Sequence, residues 1–249
     1  MEELDDLLEI NNLKIYQNRS WFSFSLDSVI LASCITVPLR CKKILDLCTG
    51  NAPVPLILST RTKAHIDGVE YQEDVVDLAK KSVFYNKLDK QITIINDDIN
   101  NYYKNVESDS YDLITCNPPY FSNLEKSEKN DDIHKRIARH EINMVLEDIF
   151  KVAKKLLKNN GTLAIVHRTE RFNEIIDLYR KYNIEPKRIR FIHSHINDDA
   201  VLFVIEGTKN GKPGVKVLPP IFVYNENNEY TSTIKNIFNK GVLNDSKEL

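Results

Sequence analysis

The chain has 249 residues, 42% of them hydrophobic and 28% charged, with a formal net charge of −2, so its length allows one large α/β domain or two small ones. Its longest apolar stretch, 29–39, is interrupted by Ser33, Thr36 and Pro38 and falls well short of the ~20 residues that span a bilayer. With Glu2, Glu3, Asp5 and Asp6 where a secretory signal would be basic and then apolar, no membrane segment or leader is expected, and the protein is read as cytoplasmic.

In chain order, Phe22-Ser-Phe-Ser-Leu-Asp27 leads into a helical run at 28–35, in which Val29, Ala32 and Ile35 form one apolar stripe and Asp27 is the expected N-cap. Strands are then predicted near 43–47, 65–69, 91–96, 111–116 and 162–167, with helices near 53–60, 72–86, 146–159 and 170–182. This alternation signals parallel strands joined by crossover helices, a doubly wound α/β sheet. A polar segment without Gly or Pro, 121–144, is longer than usual for a strand-to-helix connection, which marks it as functional or disordered. Two strand-like runs, 187–193 and 200–206, flank a turn-rich stretch and predict a closing hairpin. The remainder opens with Lys209-Asn-Gly-Lys-Pro-Gly214, a turn, and ends in a modest helical pattern near 231–239. The whole is read as one domain, 1–249, with an N-terminal extension, 1–42, and a basic C-terminal tail, 209–249.

Charge is unevenly placed: residues 126–249 hold 22 Lys and Arg against 17 Asp and Glu, whereas 1–125 hold 12 against 19. Lys187, Arg188 and Arg190 with Lys212 and Lys216 can gather into a phosphate-binding face or remain solvated element ends. Cys34, Cys41, Cys48 and Cys116 form no close CxxC pair and have no partners at zinc-finger spacing, so reduced structural thiols and no metal are expected.

The most informative residues are Asn117-Pro118-Pro119-Tyr120, directly after the strand ending in Thr115-Cys116 and so at a carboxyl end of the sheet. Each proline restricts the residue before it to extended conformations and removes an N–H, leaving Asn117 and Pro118 in a stiff loop that presents carbonyl oxygens. An exocyclic amine is a poor nucleophile because its lone pair is delocalised into the ring. If the Asn117 side-chain oxygen and the Pro118 backbone oxygen each accept one amine hydrogen, the lone pair is freed and aimed, and positioning supplies the catalysis. Tyr120 offers a ring for an extruded base to stack on, a contact worth ~1–3 kcal/mol per base. The alternative is an edge turn that merely contains two prolines.

A second signal is Asp46-Leu-Cys48-Thr-Gly50-Asn51-Ala52, a strand entering a turn and a helix, whose small residues let a cofactor approach the backbone. Ala52 tolerates helical angles; Cys48 would be strained at a positive φ. Glu70, in Gly68-Val-Glu70, can accept both hydroxyls of a cofactor ribose, and in Asn96-Asp97-Asp98-Ile99 the carboxylate of Asp98 can take an adenine amine while Ile99 packs on its ring. Each acid singly reads equally well as a helix N-cap. In a 3-2-1-4-5 order the first and fourth strands adjoin at the switch point, so Gly50 and Asn117 face one crevice.

With these residues in place, the chain resembles class I methyltransferases of sheet order 3-2-1-4-5-7-6, although of their D-x-G-x-G-x-G glycines only Gly50 is kept. Within them it is similar to the bacterial tRNA adenine N6-methyltransferases acting on position 37 of valine tRNA. The likeness rests on Phe22 to Asp27, Asp46 to Ala52, Thr115 to Phe121, Ala138-Arg-His-Glu141, Ala164-Ile-Val-His-Arg168, Glu185-Pro-Lys-Arg-Ile-Arg190 and Gly211-Lys-Pro-Gly-Val-Lys-Val-Leu-Pro-Pro220. It implies S-adenosyl-L-methionine as donor, held by Asp27, Asp46, Cys48, Gly50, Asn51, Glu70, Asp98, Ile99 and Asn117. It also implies a tRNA substrate near Phe121, Arg139, His140 and Arg168; no obligate protein partner is inferred. Rival readings are methylation of a glutamine amide or an rRNA guanine, a non-catalytic RNA-binding protein that kept the fold, and a nicotinamide enzyme, which the missing G-x-G-x-x-G disfavours.

Overall fold

In the central strands alternate side chains enter two different cores. Ile44, Ile66, Leu113, Ala164 and Val166 lie in one, and Leu45, Val69, Ile114, Leu163 and Ile165 in the other. Strands buried on both faces read as continuous apolar runs, which is why these segments carry so few polar residues. A computed structural model of the chain describes residues 2–7, 9, 12–18, 23–119 and 146–243.

The parallel strands are β3 (Lys43–Leu47), β4 (His65–Glu70), β5 (Ile92–Asn96), β6 (Tyr111–Cys116) and β7 (Leu157–Arg168), following the small N-terminal pair β1 (Glu3–Asp6) and β2 (Lys14–Gln17). β8 (Ile184–His193) and β9 (Ala200–Lys209) form the expected hairpin, and β9 inserts antiparallel between β7 and β8. The order β5-β4-β3-β6-β7-β9-β8 is the predicted 3-2-1-4-5-7-6. Helices α1 (Leu26–Cys34), α2 (Pro53–Ser59), α3 (Glu73–Tyr85) and α7 (Ser232–Lys240) cover the first core, while α4 (Ile99–Asn105), α5 (Leu146–Leu156) and α6 (Phe172–Lys181) cover the second.

Four features depart from expectation. The β1–β2 hairpin arises where the sequence shows no alternating run. Its strands are held from outside: Lys14 N–H donates to Asn86 Oδ1 at 3.0 Å and Tyr16 N–H to Ser82 Oγ at 2.8 Å, fastening β2 to α3. α4 has only Ile99 and Tyr102 buried, too few for a readable period, and is started by the Asp98 carboxylate accepting Asn100 N–H at 2.7 Å. The tail supplies two short strands, β10 (Lys216–Val217) and β11 (Ile221–Phe222), parallel to β8. Finally, α1 starts at Leu26 after Ser25, so Asp27 sits in its first turn rather than capping it. Among the described residues no helix is long and apolar enough to cross a membrane.

Candidate active site

The crevice of a doubly wound sheet opens at the carboxyl ends of the strands where the winding reverses, here between β3 and β6. After β3 the chain turns through Cys48 (φ 56°), Gly50 (φ 57°) and Ala52 (φ 72°), all left-handed. Gly50 accepts this freely; each of the other two carries a strain of ~1–2 kcal/mol. Ala52 therefore does not hold the right-handed helical angles expected of it, and Cys48 meets the positive φ that its side chain opposes.

Contacts to neighbouring strands hold the strained turn in place. Thr49 N–H donates to Val69 O at 3.0 Å, and Thr49 sits directly on Gly68, where a β-carbon would lie 2.9 Å from its Oγ1. Only glycine leaves room there for the turn to settle onto β4. Asp46, 1% exposed, accepts the Thr49 hydroxyl on Oδ2 and the Thr115 hydroxyl on Oδ1, both at 2.6 Å. It thus braces the turn to β6 and does not line the crevice, which corrects its expected place among the cofactor contacts. Burial lifts its pKa to about 7 against the pull of the two hydroxyls. Asn51 is likewise fully buried, its Nδ2 donating to Tyr16 O at 2.9 Å while Oδ1 has no hydrogen-bond partner among the described residues, so its side chain backs the turn.

Glu70 ends β4 beside this turn. Its Oε2 accepts Gly50 N–H at 3.1 Å and its Oε1 accepts Gln72 N–H at 3.0 Å. The side chain is 4% exposed, and both of its oxygens fasten backbone at the carboxyl end of β4. Asp98 is half-buried at the end of β5, where its N-cap bond to α4 fixes the carboxylate, and Ile99 beside it is buried. Across the crevice the register pairs Leu47 with Cys116, bringing Asn117 level with Cys48. Burial pushes the Cys116 thiol up, and the neighbouring Cys48 thiol adds to the shift. Asn117 is half-buried and its Nδ2 donates to Ser28 Oγ at 2.8 Å and Ser25 Oγ at 3.4 Å; Pro118 is buried and Pro119 half-buried.

The methyltransferase small domain model matches residues 14–183. The chain belongs to this family. Relatives of this methyltransferase include the tRNA1(Val) (adenine(37)-N6)-methyltransferases of Parabacteroides distasonis, 27% identical over 72% of this chain and 74% of the relative, and of Tolumonas auensis, 30% identical over 70% and 74%. A solved structure described as a predicted O-methyltransferase from Agrobacterium tumefaciens superposes with a TM-score of 0.70 at 17% identity, over 88% of this chain and 98% of that one. The M. jannaschii tRNA m1G37 methyltransferase gives 0.52 at 17% identity, over 85% and 57%, and shares the fold. The donor of this methyltransferase family, S-adenosyl-L-methionine, suits the residues present: a turn left-handed at three positions, a carboxylate fixed at its mouth and a second one at the next strand end.

Of the remaining expected substrate residues, Arg168 is exposed at the end of β7, one strand from Asn117, since Cys116 pairs with Ile165. Its neighbour His167 is buried, which drops its pKa to about 4 and keeps it neutral. Lys187, Arg188, Lys212 and Lys216 do gather at the β8 edge: Lys216 pairs with Arg188, and Lys187 Nζ donates to Lys212 O at 2.8 Å. Arg188, ion-paired to Glu206 at 2.9 Å, is level with Thr115 through Glu206 and Ala164. Three strand spacings put this edge roughly 15 Å from β6. Arg190, by contrast with the other four, is 4% exposed and donates to Pro219 O at 2.6 Å, so it holds the tail against β8. Tyr120, Phe121, Arg139, His140 and the 121–144 segment lie outside the described residues. The sequence reading missed Ser28, which carries no motif. It also missed Thr49 and Thr115, although a threonine level with Asp46 inside the apolar run Leu113-Ile-Thr-Cys116 was a readable signal.

Proposed function

We infer that this methyltransferase alkylates N6 of adenine 37 in a valine tRNA. The observation that carries the reading is Asn117, tethered through its Nδ2 and followed by two prolines, standing level with the donor turn at the switch point. When bound, S-adenosyl-L-methionine supplies an electrophilic methyl group, so no strong base is needed on the chain. Glu70 takes the ribose hydroxyls, Asp98 and Ile99 hold the cofactor adenine, and the backbone of 48–52 lines the amino-acid end, with Asp27 at the start of α1 beside it. Asn117 Oδ1 and Pro118 O accept the two amine hydrogens of the target base, drawing its nitrogen toward tetrahedral geometry. Tyr120 stacks on the extruded ring. Arg168 meets the phosphates nearest the target, and Lys187, Arg188, Lys212 and Lys216 meet those further along the RNA. The names of the relatives support tRNA as the substrate.

The test is incubation of the protein with labelled methyl donor and, separately, total tRNA, ribosomal RNA and a peptide-release factor, followed by nucleoside analysis. Label should appear as N6-methyladenosine in valine tRNA. Label confined to ribosomal RNA or to the protein arm refutes the assignment.

A further inference from the structure

An asparagine amide is nearly symmetric in shape and opposite in chemistry at its two ends. Oδ1 accepts the hydrogens of a substrate amine; Nδ2 would meet them with hydrogens of its own. A hydroxyl beside the amide can serve either end, so what it supplies is an anchor for the amide plane, and where that plane is held decides whether Asn117 can act. Pro118 restrains the Asn117 backbone to extended angles, leaving the side-chain torsions as the remaining freedom.

The Ser28 hydroxyl accepts from Nδ2 at 2.8 Å, the shorter of the two serine contacts, and is 7% exposed, so water does not readily replace it. It is also rigidly placed. Ser28 opens a run of seven buried residues in α1, and the far end of that helix is clamped: the Arg61 guanidinium donates to Ala32 O and, at 2.7 Å, to Ile35 O. One residue on, Thr36 N–H donates to Glu206 Oε2 at 2.9 Å, tying the helix exit to β9.

We propose that Ser28 is a positioning residue, whose hydroxyl anchors the Asn117 amide from α1 and so holds its plane fixed for the substrate amine. The inference rests on the proposed N-methylation and adds to it a residue that acts through Asn117. Replacing Ser28 by alanine removes the shorter of the two serine contacts, and the amide plane is held less firmly.

The experiment compares wild type, Ser28→Ala and Ser28→Thr in single-turnover methyl transfer to tRNA, alongside cofactor binding by calorimetry and thermal melting. Ser28→Ala should lower the transfer rate about three- to tenfold, the worth of one neutral hydrogen bond, while the cofactor Kd, the KM for tRNA and the melting temperature stay at wild-type values. Ser28→Thr keeps the hydroxyl and should recover most of the rate. An unchanged rate in Ser28→Ala overturns the inference, as does an equal loss in both variants when both bind cofactor and melt like wild type. Should wild type itself transfer no methyl group to tRNA, the substrate reading fails instead, and the same comparison is run on whichever amine accepts the label.

Discussion

The substitution Asp46→Asn should change the pH dependence of stability in a calculable way. The carboxyl is 1% exposed, and its pKa rises from an ordinary 3.8 to about 7 because burial penalises the charged form. Well below pH 3.8 it is neutral in both the folded and unfolded chain and the stability associated with it is fully present. As pH climbs toward 7 the unfolded chain releases the proton readily while the folded chain retains it, and that stability drains away. A gap of about three units at 1.36 kcal/mol each makes the loss about 4 kcal/mol by pH 8. The asparagine of the variant is neutral throughout, keeps an acceptor for one threonine hydroxyl, and offers an N–H to the other, which can rotate to accept. Urea unfolding of both proteins at several pH values between 4 and 8 isolates the effect, since other titrating groups cancel in the difference. The stability of the variant relative to wild type should rise with pH, mostly between 4 and 7. A difference that is flat with pH, or that grows toward acid, refutes the assignment of Asp46 as a buried brace.

Asn117→Ala should abolish methyl transfer while calorimetry shows cofactor binding retained, because the side chain acts on the nucleophile; full activity would sink the proposed mechanism. At the left-handed Cys48 position, Cys48→Val should unfold ~1–2 kcal/mol more easily than Cys48→Gly, since a β-branched side chain suits that region worst; equal midpoints in denaturant titration would count against the turn geometry. Gly207→Ala places a β-carbon 2.6 Å from Cδ1 of the fully buried Tyr179, whose hydroxyl donates to Leu163 O at 3.0 Å. A loss of ~1–3 kcal/mol is expected from that overpacking, read as a lower urea midpoint.

The main sheet was legible because buried parallel strands leave unbroken apolar runs and the hairpin leaves a turn-rich gap, so both order and closure could be read. The small peripheral elements were not: β10, β11 and α4 bury too few side chains to set a period, and β2, with β1 paired to it, owes its place to Ser82 and Asn86, on and just after a distant helix. In the site, Glu70, Asp98 and Asn117 sit at strand ends as their spacing suggested, yet Asp46 and Asn51 face inward. A motif shows that a loop is special without showing which of its side chains support it and which face the ligand. Arg190 shows the same limit for charge, because composition counts a guanidinium equally whether water or Pro219 receives it.

The way the tail lies along β8 has a consequence for solution behaviour. An outermost strand normally presents a row of vacant amides and carbonyls on which another molecule's strand could grow. Here Leu218, Val223 and Tyr224 turn their own N–H groups onto the Ile189, His193 and Ser194 carbonyls, and between them Pro219 and Pro220 bring no amide hydrogen at all. This margin therefore gives aggregation little to template, and trimming the chain before Lys216 should uncover it.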